Sequence, residues 1–249
     1  MKQWKRLAAL SSAIVMAAAT LTYFPSDTLQ NIRLEISASA DETGAETTTE
    51  PQVWIEDNLT WTLTADGTLT ISGEGAMKDY NSDDNPSPVY NNSDVKKVVI
   101  EDGVTSIGES AFYSCKSLTS ITIPDSVTSI GFTAFYACSS LTSITIPGSV
   151  TSMERSAFEF CTGLKSVTIS DGVTSIGESA FINCYSLTSI TIPDSVTSIE
   201  NYAFANCSNL TSITILKSVT SIGKNAFKDC YNLTVYLESG STLKVMTSA

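Results

Sequence analysis

The sequence predicts an α/β repeat solenoid: a right-handed coil with a parallel β-sheet, built from six 23-residue repeats and preceded by a β-hairpin cap. Three observations carry this prediction. Val104, Val127, Val150, Val173, Val196 and Val219 open six consecutive 23-residue blocks with no insertion between them. All six cysteines, Cys115, Cys138, Cys161, Cys184, Cys207 and Cys230, fall at one position of that block. The chain is 42% apolar and only 16% charged, so it has side-chain surface enough for a sizeable core. A block of this size cannot bury its own apolar face, and stacking equivalent blocks does so.

At the start of the chain, Lys2, Lys5 and Arg6 precede an apolar stretch from Leu7 to Phe24, the layout of a secretory signal. Residues 1–40 are read as that signal, cut after Ala40, because Ala38-Ser39-Ala40 satisfies the small-residue rule; Ala17 to Ala19 is an alternative cut. Left uncleaved, the segment is a membrane anchor. Residues 41–51, DETGAETTTEP, read as an acidic Thr-rich linker. Residues 52–94 read as an N-terminal β capping segment. Within them Leu59, Trp61 and Leu63 share one face and Leu69 and Ile71 share another, with Asp66-Gly67 between, so a hairpin is expected over the first coil. An open solenoid end otherwise exposes unpaired strand edges and apolar side chains.

Residues 95–232 form the solenoid, whose first block reads VTSIGESAFYSCKSLTSITIPDS. Ile107, Ala111, Phe112, Cys115, Leu118, Ile121 and Ile123 recur as Ile130, Ala134, Phe135, Cys138, Leu141, Ile144 and Ile146, and so on down the array, and take the inward positions. LTSITI alternates apolar residues with Ser and Thr, the pattern of a half-buried strand. Pro124-Asp125 turns the chain, Val127 to Ile130 offers a second short strand, and GESAFYSC supplies a compact helical or 3₁₀ turn. With strands about 4.8 Å apart, six coils make a body on the order of 30 Å long. After Leu233 the tail NLTVYLESGSTLKVMTSA abandons the pattern, so residues 233–249 read as a C-terminal cap.

Leu118, Ile121 and Ile123 joined to VTSIGxxAFxxC resemble the BspA-like leucine-rich repeat family over about 155 residues. The segment DNLTWTLTADGTLTISGEGAMKDY is similar to the leader that often precedes such arrays, although Pro88-Val89-Tyr90 stands where the family carries a tryptophan. The resemblance implies a leucine-rich-repeat-like fold in a secreted or surface-associated bacterial protein. It further implies an adhesion-type module for protein–protein or cell–matrix interaction, with a carbohydrate-associated or structural envelope module as the alternative.

No histidine occurs in the chain, which removes Ser-His-Asp and Cys-His nucleophile systems and the commonest metal ligand. An even cysteine count in an exported chain suggests disulfides, yet side chains on stacked coils run parallel, so buried thiols acting as small hydrophobes are the favoured reading. No CxxC or CxxH cluster exists. Asp79-Tyr80-Asn81-Ser82-Asp83 opens like a calcium loop, but Asp84 takes the place of the turn glycine and Tyr90 that of the final glutamate. Glu109, Glu154, Glu178 and Glu200 vary in position along one edge, with no opposing acid to complete a glycosidase pair. No catalytic residue, cofactor or metal is therefore assigned, and a non-enzyme is expected.

The net charge is −12. Without residues 1–40 it becomes −14, from 10 Lys and Arg against 24 Asp and Glu. Residues 41–94 hold 12 of those acids and one base. Such a field repels phosphate backbones, so an extracellular protein or glycan is the expected partner, not nucleic acid; a membrane enters only through an uncleaved leader. The candidate ligand face is the inner, concave sheet carrying Ser120, Thr122, Ser143, Thr145, Ser166, Thr168, Ser189, Thr191, Ser212 and Thr214. A solvated Thr-rich β face is the bland alternative. Tyr113, Phe132, Tyr136, Phe160, Tyr185 and Tyr202 are large aromatics at positions that are small or polar in other blocks, as is Tyr231, so they are candidate flank contacts or packing over the turns.

Overall fold

A computed structural model describes residues 50–81, 84–240 and 244–245. The signal segment and the linker before Glu50 lie outside the described residues, as does part of the calcium-like loop.

The chain starts with three strands, β1 (Gln52–Glu56), β2 (Leu59–Leu63) and β3 (Thr68–Gly73), followed by the two-residue β4 (Gly75–Ala76). The alternating apolar residues of β2 and β3 decide their register: Trp61 lies opposite Ile71 and Leu63 opposite Leu69 in an antiparallel pair, so both apolar sets line one buried face. In the turn, Asp66 accepts hydrogen bonds from the hydroxyls of Thr64 and Thr68, and Gly67 takes a φ of 88°.

From here the 23-residue period sets two walls. The long wall comprises β5 (Lys97–Ile100), β7 (Ser120–Thr122), β9 (Ser143–Ile146), β11 (Ser166–Ile169), β13 (Ser189–Thr191), β15 (Ser212–Ile215) and β17 (Thr234–Leu237). The short wall comprises β6 (Val104–Ile107), β8 (Ser129–Ile130), β10 (Ser152–Met153), β12 (Ser175–Ile176), β14 (Ser198–Ile199), β16 (Ser221–Ile222) and β18 (Lys244–Val245). Pairing is parallel, with equivalent residues in register: Ser143, Ser166 and Ser189 align, as do Ile144, Val167 and Ile190. β3 pairs parallel with β5, so the front strands continue the long wall. Hydrogen-bonded pairing lapses between β7 and β9, between β13 and β15, and on the short wall between β10 and β12. The result is a β-solenoid of about six turns.

The α component of the predicted α/β class is not there: among the described residues no helix forms. In the segment expected to be helical, two residues per coil hold left-handed backbone, Ser110 and Ser114 in the first coil (φ 52° and 59°), Thr133 and Ala137 in the next (50° and 56°). A left-handed residue every fourth position stops a right-handed helix from propagating. Backbone bonding there runs between coils. Ser110, Phe112 and Ser114 donate their N–H groups to Phe132, Ala134 and Tyr136 of the following coil, while Ala111, Tyr113 and Cys115 bond locally to Gly108, Ser110 and Phe112. The turns thus form a third bonded side of the coil, which supplies the partners that buried backbone groups require.

Two ladders fill the core. Phe112, Phe135, Phe158, Phe181, Phe204 and Phe227 stack with ring centroids 5.0–5.6 Å apart. Beside them each cysteine thiol donates to a backbone carbonyl of the preceding coil: Cys138 to Phe112 at 3.2 Å, Cys161 to Phe135 at 3.2 Å, and so on to Cys230 on Phe204 at 3.0 Å. Cys115 bonds Val89, which occupies the phenylalanine position of a shortened coil ahead of the first block. Valine is too small to continue the ring ladder, and Trp61 of β2 does so instead, with its ring 5.7 Å from Phe112 and fully buried. All six thiols are free.

Candidate functional site: a hydroxyl wall and an aromatic flank

Alternation along TSIT sends apolar residues inward and hydroxyls outward. Ser120, Thr122, Ser143, Thr145, Thr168, Ser189, Thr191, Ser212 and Thr214 are exposed and Ser166 is half-buried, so all ten predicted residues lie in rows on the outer side of the long wall. Rows on adjacent coils are separated by the strand spacing of about 4.8 Å.

Several other hydroxyls of the repeat are committed to the fold. On the short wall Thr128 donates to the carbonyl of Thr105 at 3.1 Å, Thr151 to Thr128, Thr197 to Thr174 and Thr220 to Thr197. In the turn leading there, Ser126, Ser149 and Ser195 donate to the carbonyls of Val104, Val127 and Val173 at 2.7–2.8 Å. Thr119 and Thr188, at the mouth of the long strands, donate to Lys96 and Lys165. None of the ten outward hydroxyls has a partner within the described residues. Their donors and acceptors are therefore open to water or to a ligand.

The six predicted flank aromatics separate into one group and three single residues. Tyr113 and Tyr136 stack with centroids 4.7 Å apart and planes 9° apart, and Phe160 meets Tyr136 edge-on at 5.5 Å. Tyr90, absent from the sequence-based set because it precedes the first block, extends this stack at 5.2 Å from Tyr113. The four rings are half-buried, so packing and exposure are both served. Burial raises the phenol pKa values of Tyr113 and Tyr136, and the carboxylate of Glu159 adds to both. Phe132 stands alone on another edge, Tyr185 is exposed beside Asn183, and Tyr202 holds left-handed backbone with its hydroxyl accepting from Asn225. The signal that would have found Tyr90 is the 23-residue step back from Tyr113.

Asp79, Glu109 and Glu154 approach one another along one edge. Burial raises the Glu109 pKa, with Asp79 and Glu154 adding to the effect. Asp79 accepts the Glu109 N–H at 2.9 Å and Glu154 that of Phe132 at 3.2 Å, so these carboxylates tie the coil together. Among the described residues no group of three His, Cys, Asp or Glu is placed to hold a metal ion.

The BspA type leucine rich repeat region matches this chain in six copies, over residues 86–211 and 174–248. A leucine-rich cell surface protein from Faecalibacterium prausnitzii A2-165, known from its crystal structure, is 37% identical with a TM-score of 0.56; the similarity covers 78% of this chain and 57% of that one. The leucine-rich repeat protein of T. pallidum is 26% identical with a TM-score of 0.55, covering 73% of this chain and 90% of that one. The chain thus spans little more than half the length of the first of these. No curated protein matches it in sequence.

Proposed function

Because the chain belongs to the BspA-type leucine-rich repeat family, we propose that it is a non-catalytic binding module working at or outside the cell surface, with the long wall as its ligand face. One observation carries this reading: the outward Ser and Thr hydroxyls of the long wall are uncommitted, whereas Thr128, Thr151, Thr197 and Thr220 on the short wall are spent on coil-to-coil bonds. A face with many free donors and acceptors and little charge suits a polar protein surface, since each hydroxyl can give or take a hydrogen bond. The description of the F. prausnitzii relative as a cell surface protein supports the location, as does the signal-like layout of the first 24 residues. In this reading β1–β3 act as the front cap of the stack.

Carbohydrate association is the second reading, favoured by the half-exposed stack of Tyr90, Tyr113, Tyr136 and Phe160, because tyrosine offers sugars both ring edge and hydroxyl. The two readings separate in a binding screen of the full chain against matrix proteins, mucins and polysaccharides. The leading reading expects a protein ligand whose binding is lost when Ser143, Ser166 and Ser189 are changed to Lys. Retention on polysaccharide alone, lost with Tyr113→Ala and Tyr136→Ala, would replace it with the second.

A further inference from the structure

Exposed large apolar side chains concentrate at the two ends of the stack. Ile55 on β1 is 64% exposed; at the other end Tyr231, Val235, Tyr236 and Leu237 are 81%, 42%, 57% and 56% exposed, which among the described residues leaves only Phe132 and Tyr185 along the sides. These ends also carry free strand edges, since β1 pairs only with β2, and β17 only with β15, among the described residues. We propose that the ends dock on each other in separate copies of this chain, β17 of one adding to β1 of the next, so that the protein assembles head to tail.

Topology makes the two edges compatible. β1 and β17 are the outermost strands of the same long wall. β1 runs antiparallel to β2, and β2 antiparallel to β3, so β1 points the same way as β3, which pairs parallel into the coil. A second copy shifted along the stack axis therefore presents its β1 parallel to β17, the arrangement every coil already makes with its neighbour. Tail-to-tail pairing of two β17 strands would be antiparallel and would break that pattern.

Charge selects the same partner. Residues 50–79 hold six acids, Glu50, Glu56, Asp57, Asp66, Glu74 and Asp79, against Lys78 alone. The last coil exposes Lys224 and Lys228, and of its two acids Glu238 is bridged by Lys217 at 3.8 Å. Front meeting tail sets acidic groups against exposed lysines on a coil whose own charges balance; front meeting front joins two acidic surfaces. Because the two patches differ, the contact is heterologous and does not close on itself after one step.

Sedimentation velocity on the purified full chain tests this. The expected result is a weight-average mass that grows with concentration beyond a dimer and falls when salt screens the ends. Ile55→Lys and Tyr236→Lys should each leave monomer, with Val235→Lys as a second tail variant and far-UV dichroism as the check on folding. Mixing Ile55→Lys with Tyr236→Lys restores one working tail and one working front, so the mixture should form dimers and stop there. A monomer at every concentration overturns the proposal. So does self-association that neither substitution alters, or an Ile55→Lys chain that still dimerises through its tail.

Discussion

The cysteine position was legible in the sequence as a ladder, but what the thiols do was not, because the donor's target depends on the path of the turn. Each Sγ reaches a carbonyl 26 residues earlier, so a thiol here is both a small core group and a hydrogen-bond donor. Burial pushes the thiols of Cys115 and Cys161 up to about 12 from an ordinary value near 9. With the folded value above the unfolded one, this stability is fully present below about pH 9 and is lost as pH rises towards 12. Between about pH 10 and 11, Cys161→Ala should therefore make unfolding free energy fall less steeply, by about 1.4 kcal/mol per pH unit, in denaturant titrations. Cys230 differs from the other five, which are buried: it is only partly buried. A thiol reagent applied to the native protein should label Cys230 first and the other five only on unfolding; equal rates for all six would contradict this. Left-handed backbone in the turns had a sequence signal only at Asn183, Asn206, Asn225 and Asp229, since Ser, Thr, Ala, Phe and Tyr at the equivalent positions carry none. Ala137 pays for its φ of 56° with Cβ strain, so Ala137→Gly should stabilise the fold by about 1 kcal/mol in chemical denaturation.

At the scale of elements, the strands followed from the period-2 alternation of TSITI, and the front hairpin from Leu59, Trp61, Leu69 and Ile71 around Asp66-Gly67. The expected helical turn did not form, because GESAFYSC satisfies its backbone against the next coil, a non-local partner invisible to a local reading. The same limit applied to the two walls. Both read as rows of Ser and Thr, and only geometry separates committed from free hydroxyls. The phenylalanine ladder was legible by its period, whereas its extension by Trp61 depended on knowing which strand lies over the first coil. Phe158 is fully buried between rings 5.0 Å and 5.3 Å away, and Phe227 ends the ladder partly buried. Phe158→Ala should cost about 3–5 kcal/mol in urea unfolding and Phe227→Ala distinctly less. Equal losses would mean that the stack does not unfold as one cooperative ladder.

Across the whole molecule, the exact period accounts for the constant residues, and recognition is left to what the stack turns outward. Five coils repeat one hydroxyl pattern, so a ligand on the long wall meets a lattice of polar groups, and affinity must come from many shallow contacts. The same regularity offers an internal control, because two walls of similar composition differ in hydrogen-bond commitment. The direct measurement is ligand retention by two triple variants: Ser143, Ser166 and Ser189 changed to Lys on the long wall, and Thr128, Thr151 and Thr197 changed to Lys on the short wall. Binding should drop at least tenfold for the first, a loss of about 1.4 kcal/mol, and stay within a factor of two or so for the second. Binding that survives the long-wall changes, or that falls equally with both, would contradict the assignment of the ligand face.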